Sequence, residues 1–151
     1  MTARAAFDGP LGRLVLTEEA GAITRLSFGG EAEGAASPLL NEAGRQLDAY
    51  LSGRLRGFDL PLAIGEGARA RFLEALLAIP YGETRSYGEL ARDLGVSAQA
   101  IGQACGANPI PIIIPCHRVL GADGLGGFSA PGGIETKIAL LKLEGAAGLL
   151  I

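Results

Sequence analysis

The chain has 151 residues, 48% of them hydrophobic, a formal net charge of −3 at pH 7 and a sequence pI near 5.2. That is enough apolar material for a core, in one domain or two small ones, but no basic tail for nucleic acid. Up to Ile79 eight arginines face ten acidic residues, and from Pro80 five Lys or Arg face six, so any affinity for nucleic acid has to be weak or local.

No apolar run reaches the ~18 residues of a membrane span, and Met1-Thr2-Ala3-Arg4 does not open a signal peptide. Two cysteines, Cys105 and Cys116, and one histidine are too few for a disulfide framework or a structural zinc site. They fit a reducing cytoplasm that keeps thiols available.

The first third reads as strands. Arg4 to Asp8, Leu14 to Thr17 and Ile23 to Phe28 are short, partly alternating segments separated by Gly9-Pro10, Glu18 to Gly21 and Gly29-Gly30, the pattern of an antiparallel meander. Ser37-Pro38 supplies an N-cap and a proline at the first helical position. Leu39, Leu40, Ala43, Leu47, Tyr50 and Leu51 then share one helical face before Gly53. Phe58 to Leu62 reads as a further strand, which Pro61 confines to an edge. Residues 1–64 thus form an α/β subdomain without cysteine, histidine or a catalytic cluster, which makes them scaffold.

Residues 65–151 differ in character. A helix from about Gly67 to Ile79 buries Ala70, Leu73, Leu76 and Leu77, and Pro80-Tyr81-Gly82 stops it. Ser86-Tyr87-Gly88-Glu89 is a capping box opening a helix that ends by Gly95, and Ser97 caps another that runs to about Ala107. Two short helices joined by a glycine-containing turn are a helix-turn-helix candidate in a mostly helical domain. The second is built of small residues, so its backbone can approach a DNA groove or a neighbouring helix closely. Cys105 reads as a buried small residue at helical spacing from Ile101.

The chemistry concentrates in Asn108-Pro109-Ile110-Pro111-Ile112-Ile113-Ile114-Pro115-Cys116-His117-Arg118-Val119. Ile112 to Ile114 read as a short extended core segment, and the three prolines forbid helix and fix the exit direction, a rigid mount for Cys116. A cysteine attacks as thiolate, which a neighbouring base or positive charge promotes, and His117 and Arg118 offer both. The glycine-rich residues 121–133 lack the Gly-Lys-Ser/Thr ending of a phosphate-binding loop, but leave room for a planar base. A last helix, Ile134 to about Glu144, buries Ile134, Ile138, Leu141 and Leu140.

Pro115-Cys116-His117-Arg118-Val119, preceded by Asn108-Pro109-Ile110-Pro111, resembles the active-site signature of the alkylguanine-DNA alkyltransferases, also called methylated-DNA–protein-cysteine methyltransferases. The match runs from about Pro80 to Gly145. The resemblance implies an RNase H-like N-terminal subdomain and a winged helix-turn-helix-like C-terminal domain. It implies alkyl transfer from the exocyclic oxygen of guanine to Cys116, with His117 as base through a water, Glu144 orienting the imidazole, and Tyr87 donating a proton to the leaving guanine. Asn108 and Val119 would link the halves of the site, Ser129 would contact the guanine and Phe128 would line the alkyl cavity. Ser86, Ala100, Gly102 and Arg118 fall among the positions expected to meet substrate or DNA.

Counting back from Cys116 without gaps, Gln99 stands where the family has an arginine that replaces the flipped-out guanine. A glutamine can fill the stack and hydrogen-bond, but brings no charge and a shorter reach. The implied partner is double-stranded DNA, entered through the minor groove with the alkylguanine flipped out, by a monomer with no membrane, metal or organic cofactor. The thioether is not hydrolysed, so each molecule reacts once. Three other readings stay open: an alkyltransferase-like protein that binds alkylated DNA or meets another substrate without efficient repair, a helix-turn-helix regulator whose cysteine senses alkylation or oxidation, and a Cys-His hydrolase.

Overall fold

A computed structural model of the chain describes residues 2–32, 37–121, 124–125 and 133–146. Contacts divide it into two units, Met1–Ala63 and Ile64–Ile151. No helix among the described residues is long and apolar enough to cross a membrane.

The first unit is a three-stranded antiparallel meander, β1 (Thr2–Gly9), β2 (Gly12–Glu19) and β3 (Ala22–Phe28), with β2 central. Its second hairpin turns through Ala20 and Gly21, both at positive φ (50° and 78°), the geometry that matches strand twist in a two-residue loop. Helix α1 (Pro38–Leu51) packs on the sheet, and Ser37 caps it by accepting the Leu40 N–H at 3.0 Å. Its inward face carries Leu40, Ala43, Leu47 and Tyr50, whereas Leu39 and Leu51 are half-buried. Gly44 lies on this face because a Cβ there would stand 2.1 Å from Phe7.

The strand expected over Phe58 to Leu62 is reduced to one parallel bridge, Ile23 to Leu62. The cause is Gln46, whose amide donates to Asp59 O (3.2 Å) and accepts from Asp59 N–H (2.9 Å), occupying the backbone groups that a ladder would need.

The second unit holds α2 (Gly67–Leu77), β4 (Arg85–Ser86), α3 (Tyr87–Leu94), α4 (Ala98–Gly106), a 3₁₀ turn (Cys116–Arg118), β5 (Val119–Leu120) and α5 (Ile134–Glu144). α2 buries Ala70, Phe72, Leu73 and Leu76. Leu77, expected inside, is 40% exposed, because the helix ends there and Ile79 takes the inward place.

The helix-turn-helix is α3 and α4, fixed by chemistry visible in the chain. Ser86 and Glu89 form a reciprocal capping box, Gly95 ends α3 in the left-handed region (φ 70°), and Ser97 caps α4. β4 pairs in parallel with β5, Arg85 opposite Val119, and this ribbon brings the start of α3 to the segment that follows the 3₁₀ turn. α5 differs from expectation in its inward face. Ile134 is 41% exposed and Ile138 half-buried, while Lys137, Leu140, Leu141 and Glu144 are buried. Spaced at i, i+3, i+4 and i+7, they form the buried stripe with a cation at one end and a carboxylate at the other.

Candidate active site

Cys116 is mounted on two successive tight turns, which corrects the extended segment expected over Ile112 to Ile114. Ile113 N–H donates to Pro111 O (2.9 Å) across Ile112, whose φ is 73°. A three-residue turn closed in this way with positive φ is the rare, strained γ-turn, at about 1–3 kcal/mol for a residue other than glycine. Cys116 N–H then donates to Ile114 O (2.8 Å) across Pro115 (φ −82°, ψ 65°), the relaxed inverse form. Burial outweighs the strain: Ile110, Ile112, Ile113 and Ile114 are all at most 3% exposed, each worth about 1.5–3 kcal/mol. Asn108 ties the arm together, its Nδ2 donating to Ile114 O (2.9 Å) and its Oδ1 accepting from Ile110 N–H (3.0 Å).

The 3₁₀ turn fans out three consecutive side chains by about 120° each. His117 points fully inward, its Nε2 2.8 Å from Glu144 Oε2. Arg118 grips the same carboxylate, Nε to Oε1 and Nη2 to Oε2 both at 2.9 Å, and donates from Nη1 to Ile79 O at 2.6 Å. Its guanidinium also lies 5.7 Å from the centre of the Tyr81 ring. The expectation that Arg118 meets DNA, or supplies the charge beside the thiol, is corrected: its three nitrogens are engaged inside and it is 8% exposed.

Glu144 is presented at the end of α5 by the 80–82 turn. Gly82 N–H reaches its Oε1 at 3.4 Å, and Tyr81 O–H donates to Leu143 O at 3.2 Å. Gly82 sits at φ 81°, and a Cβ there would press to 3.3 Å from Glu144 O.

With Nε2 facing the carboxylate, the imidazole proton belongs on Nε2 and the lone pair on Nδ1. Nδ1 is buried with no hydrogen-bond partner among the described residues. Burial pulls the His117 pKa below its usual 6.5, against the upward pull of Glu144, so the ring is neutral at pH 7 and can accept a proton.

Cys116 is 6% exposed, and burial pushes its thiol pKa up. The Asn108 amide and the Lys137 ammonium pull it back toward thiolate. Lys137 belongs to no motif in the sequence. It is 0% exposed, donates to Val119 O at 2.7 Å and lies 5.8 Å from the centre of the Tyr87 ring. Its only signal is position: seven residues before Glu144, it shares that residue's helical face.

Tyr87 opens α3 half-buried, its hydroxyl held protonated by burial first and by the Cys105 and Cys116 sulfurs second. Cys105, expected to be buried, is half-buried, and its pKa is pushed up to about 12, mainly by burial, which keeps it a thiol at neutral pH.

Val119 contributes its carbonyl to Lys137, its side chain being fully buried. Ser86 is the cap of α3, accepting from Glu89 N–H at 3.0 Å. Gln99 and Gly102 lie exposed on α4, apart from the buried group. Ala100 instead lines an apolar cavity of about 470 Å³ between α2 and the helix-turn-helix, with Phe72, Leu73, Val96 and Ile101. Phe128 and Ser129 lie outside the described residues.

A buried cysteine followed by a histidine whose far nitrogen is held by a carboxylate sits in the same unit as a helix-turn-helix. The family model for the 6-O-methylguanine DNA methyltransferase DNA-binding domain matches residues 68–146, and the ribonuclease-like domain of the same family matches residues 4–64. The chain belongs to the 6-O-methylguanine DNA methyltransferase family.

A methylated-DNA–protein-cysteine methyltransferase of Methanosarcina acetivorans is 40% identical over 94% of this chain and 97% of its own. The crystal structure of the Mycobacterium tuberculosis O6-methylguanine methyltransferase superposes with a TM-score of 0.82 at 42% identity, covering 96% of this chain and 93% of that one. The M. tuberculosis OGT in complex with DNA superposes at 0.81 with 43% identity, covering 93% and 92%.

Proposed function

We propose that this protein repairs DNA directly, by a single irreversible transfer of an alkyl group, methyl in the simplest case, from the exocyclic oxygen of guanine to Cys116. The observation that carries this reading is the buried pairing of His117 Nε2 with Glu144, which leaves Nδ1 as the basic atom next to a cysteine in the chain. The Cys116 thiol proton passes to Nδ1, directly or through one water. Sulfur then attacks the alkyl carbon in line, a C–S bond forms, the C–O bond breaks and its electron pair returns to the guanine ring.

The Tyr87 hydroxyl donates the proton that neutralises the leaving guanine and is reprotonated through solvent as the His117 imidazolium gives up the proton it took, so on balance the thiol's proton passes to the guanine. Asn108 and Lys137 favour the thiolate, and the carbonyl of Val119 holds Lys137. Arg118 acts from within by fixing Glu144. The thioether has no hydrolytic step, so one molecule repairs one lesion.

The partner in this reading is duplex DNA, met by α4 through the minor groove with the alkylguanine flipped into the site. Gln99 takes the vacated place in the stack, Gly102 allows close approach, and Ser86 and Ala100 shape the frame beneath. Phe128 and Ser129 are proposed to line the base pocket. The absence of a cation at Gln99 favours one second reading, a protein that binds alkylated DNA without efficient repair.

Cys116→Ser decides the nucleophile. It is expected to abolish alkyl uptake from a methylguanine duplex while Cys105→Ser retains it; equal loss in both would reject the assignment. Binding without uptake by the unaltered chain would favour the second reading.

A further inference from the structure

We infer that Gln103 is a second DNA-contacting residue, so that α4 grips the duplex through a pair of neutral amides. This rests on the assignment of α4 as the DNA-facing helix. Residues of a helix follow one another at about 100°, which gathers Gln99, Gly102, Gln103 and Gly106 on one side of α4. All four are exposed, and Ile101, the buried residue of the helix, lies on the opposite side. Two of the four have no side chain, and no atom lies within 4 Å of where a Cβ on Gly102 would sit. A surface docking here meets bare backbone flanked by the Gln99 and Gln103 carboxamides. α4 contains no Lys or Arg.

The chemistry of this face suits a groove floor. A carboxamide carries both donors and an acceptor. The minor groove offers acceptors at every base pair and a donor at G·C, so each amide can satisfy any sequence by choosing which end it presents. Four residues of helix rise about 6 Å, close to two base steps of about 3.4 Å. With Gln99 at the emptied position in the stack, Gln103 reaches base edges about two steps away. Contact of this kind releases no counterions, so affinity gained through it is insensitive to salt.

The test is equilibrium binding of the full chain to an unmodified duplex by fluorescence anisotropy, across a NaCl series, for the unaltered protein, Gln99→Ala, Gln103→Ala and Gln103→Arg. Gln103→Ala is expected to weaken binding roughly two- to tenfold, the worth of one neutral hydrogen bond, without changing the slope of log affinity against log salt. Gln103→Arg is expected to steepen that slope by about one. Loss in Gln99→Ala with none in Gln103→Ala would overturn the inference and leave the repair reading intact. Loss in neither would overturn the inference and the DNA-facing role of α4. The expected loss in Gln103→Ala, found together with no alkyl uptake by the unaltered chain, would support this inference and reject the repair reading.

Discussion

His117 Nε2 and Glu144 Oε2 lie 2.8 Å apart in the interior, and this contact decides which nitrogen of the imidazole can act as a base. With the proton held toward the carboxylate, basicity is left to Nδ1. Glu144 therefore does two things at once, setting the tautomer of His117 and neutralising Arg118.

The first prediction follows from that double role. Glu144→Gln leaves the Arg118 guanidinium buried without a counter-charge, and removing one partner of a buried ion pair costs about 3–5 kcal/mol. Urea denaturation should show that loss as a lower midpoint. The alkyl-transfer rate of the surviving folded protein should fall by at least roughly tenfold as the imidazole loses its fixed orientation. A midpoint within error of the unaltered protein would contradict the buried pairing.

Acid stability gives the second. His117 binds a proton near pH 6.5 in the unfolded chain and only at lower pH when folded, because burial lowers its pKa. Between those two values the unfolded state holds more protons, so stability is full above about pH 6.5 and is lost as pH falls below it. Urea midpoints at pH 7.5 and 5.5 should differ in that direction. The difference should shrink in His117→Gln, which has no imidazole to titrate.

Arg118 and DNA supply the third. Arg118→Lys keeps the charge but loses the forked grip on Glu144 and the bond to Ile79 O, at about 1–3 kcal/mol of stability. The salt dependence of DNA binding should be unchanged. In Arg118→Gln, which removes the charge, the slope should likewise be unchanged, and a slope shallower by about one would mean that Arg118 neutralises a phosphate after all.

For Lys137 the readout is a pH profile. Its ammonium opposes the burial that raises the Cys116 pKa, so Lys137→Met should move the thiol pKa further up. The transfer rate should then drop at neutral pH and recover as pH rises, the rising limb being displaced to higher pH. A uniform loss at every pH would instead assign Lys137 to holding Val119 in place.

Much of this was legible in the chain because it depends on local chemistry. Ser37, Ser86 and Ser97 mark helix starts whatever surrounds them, and Cys116-His117 after a proline-punctuated arm marks the place where the buried His117–Glu144 contact is found. What could not be read depends on groups distant in sequence. Ile112 prefers extended backbone, and only the joint burial of four isoleucines holds it at positive φ.

Lys137 resembles a surface lysine until Val119, Tyr87 and Cys116 are placed around it. The inward face of α5 is hidden from the pattern of apolar residues for the same reason, since its stripe begins with Lys137 and ends with Glu144. Phe58 to Leu62 has the composition of a strand, and Gln46 on another element took its backbone groups.

The central claim is that Cys116 accepts an alkyl group from guanine in DNA, and intact-protein mass spectrometry tests it most directly. The protein would be incubated with a duplex containing O6-methylguanine, with an unmodified duplex and with free benzylguanine, and the product digested to locate the added mass. The expected result is a gain of one methyl group from the methylated duplex, located on Cys116, and none from the unmodified one. No gain from either alkylated substrate while the Cys116 thiol is shown to be free, or a gain located on Cys105, would contradict it.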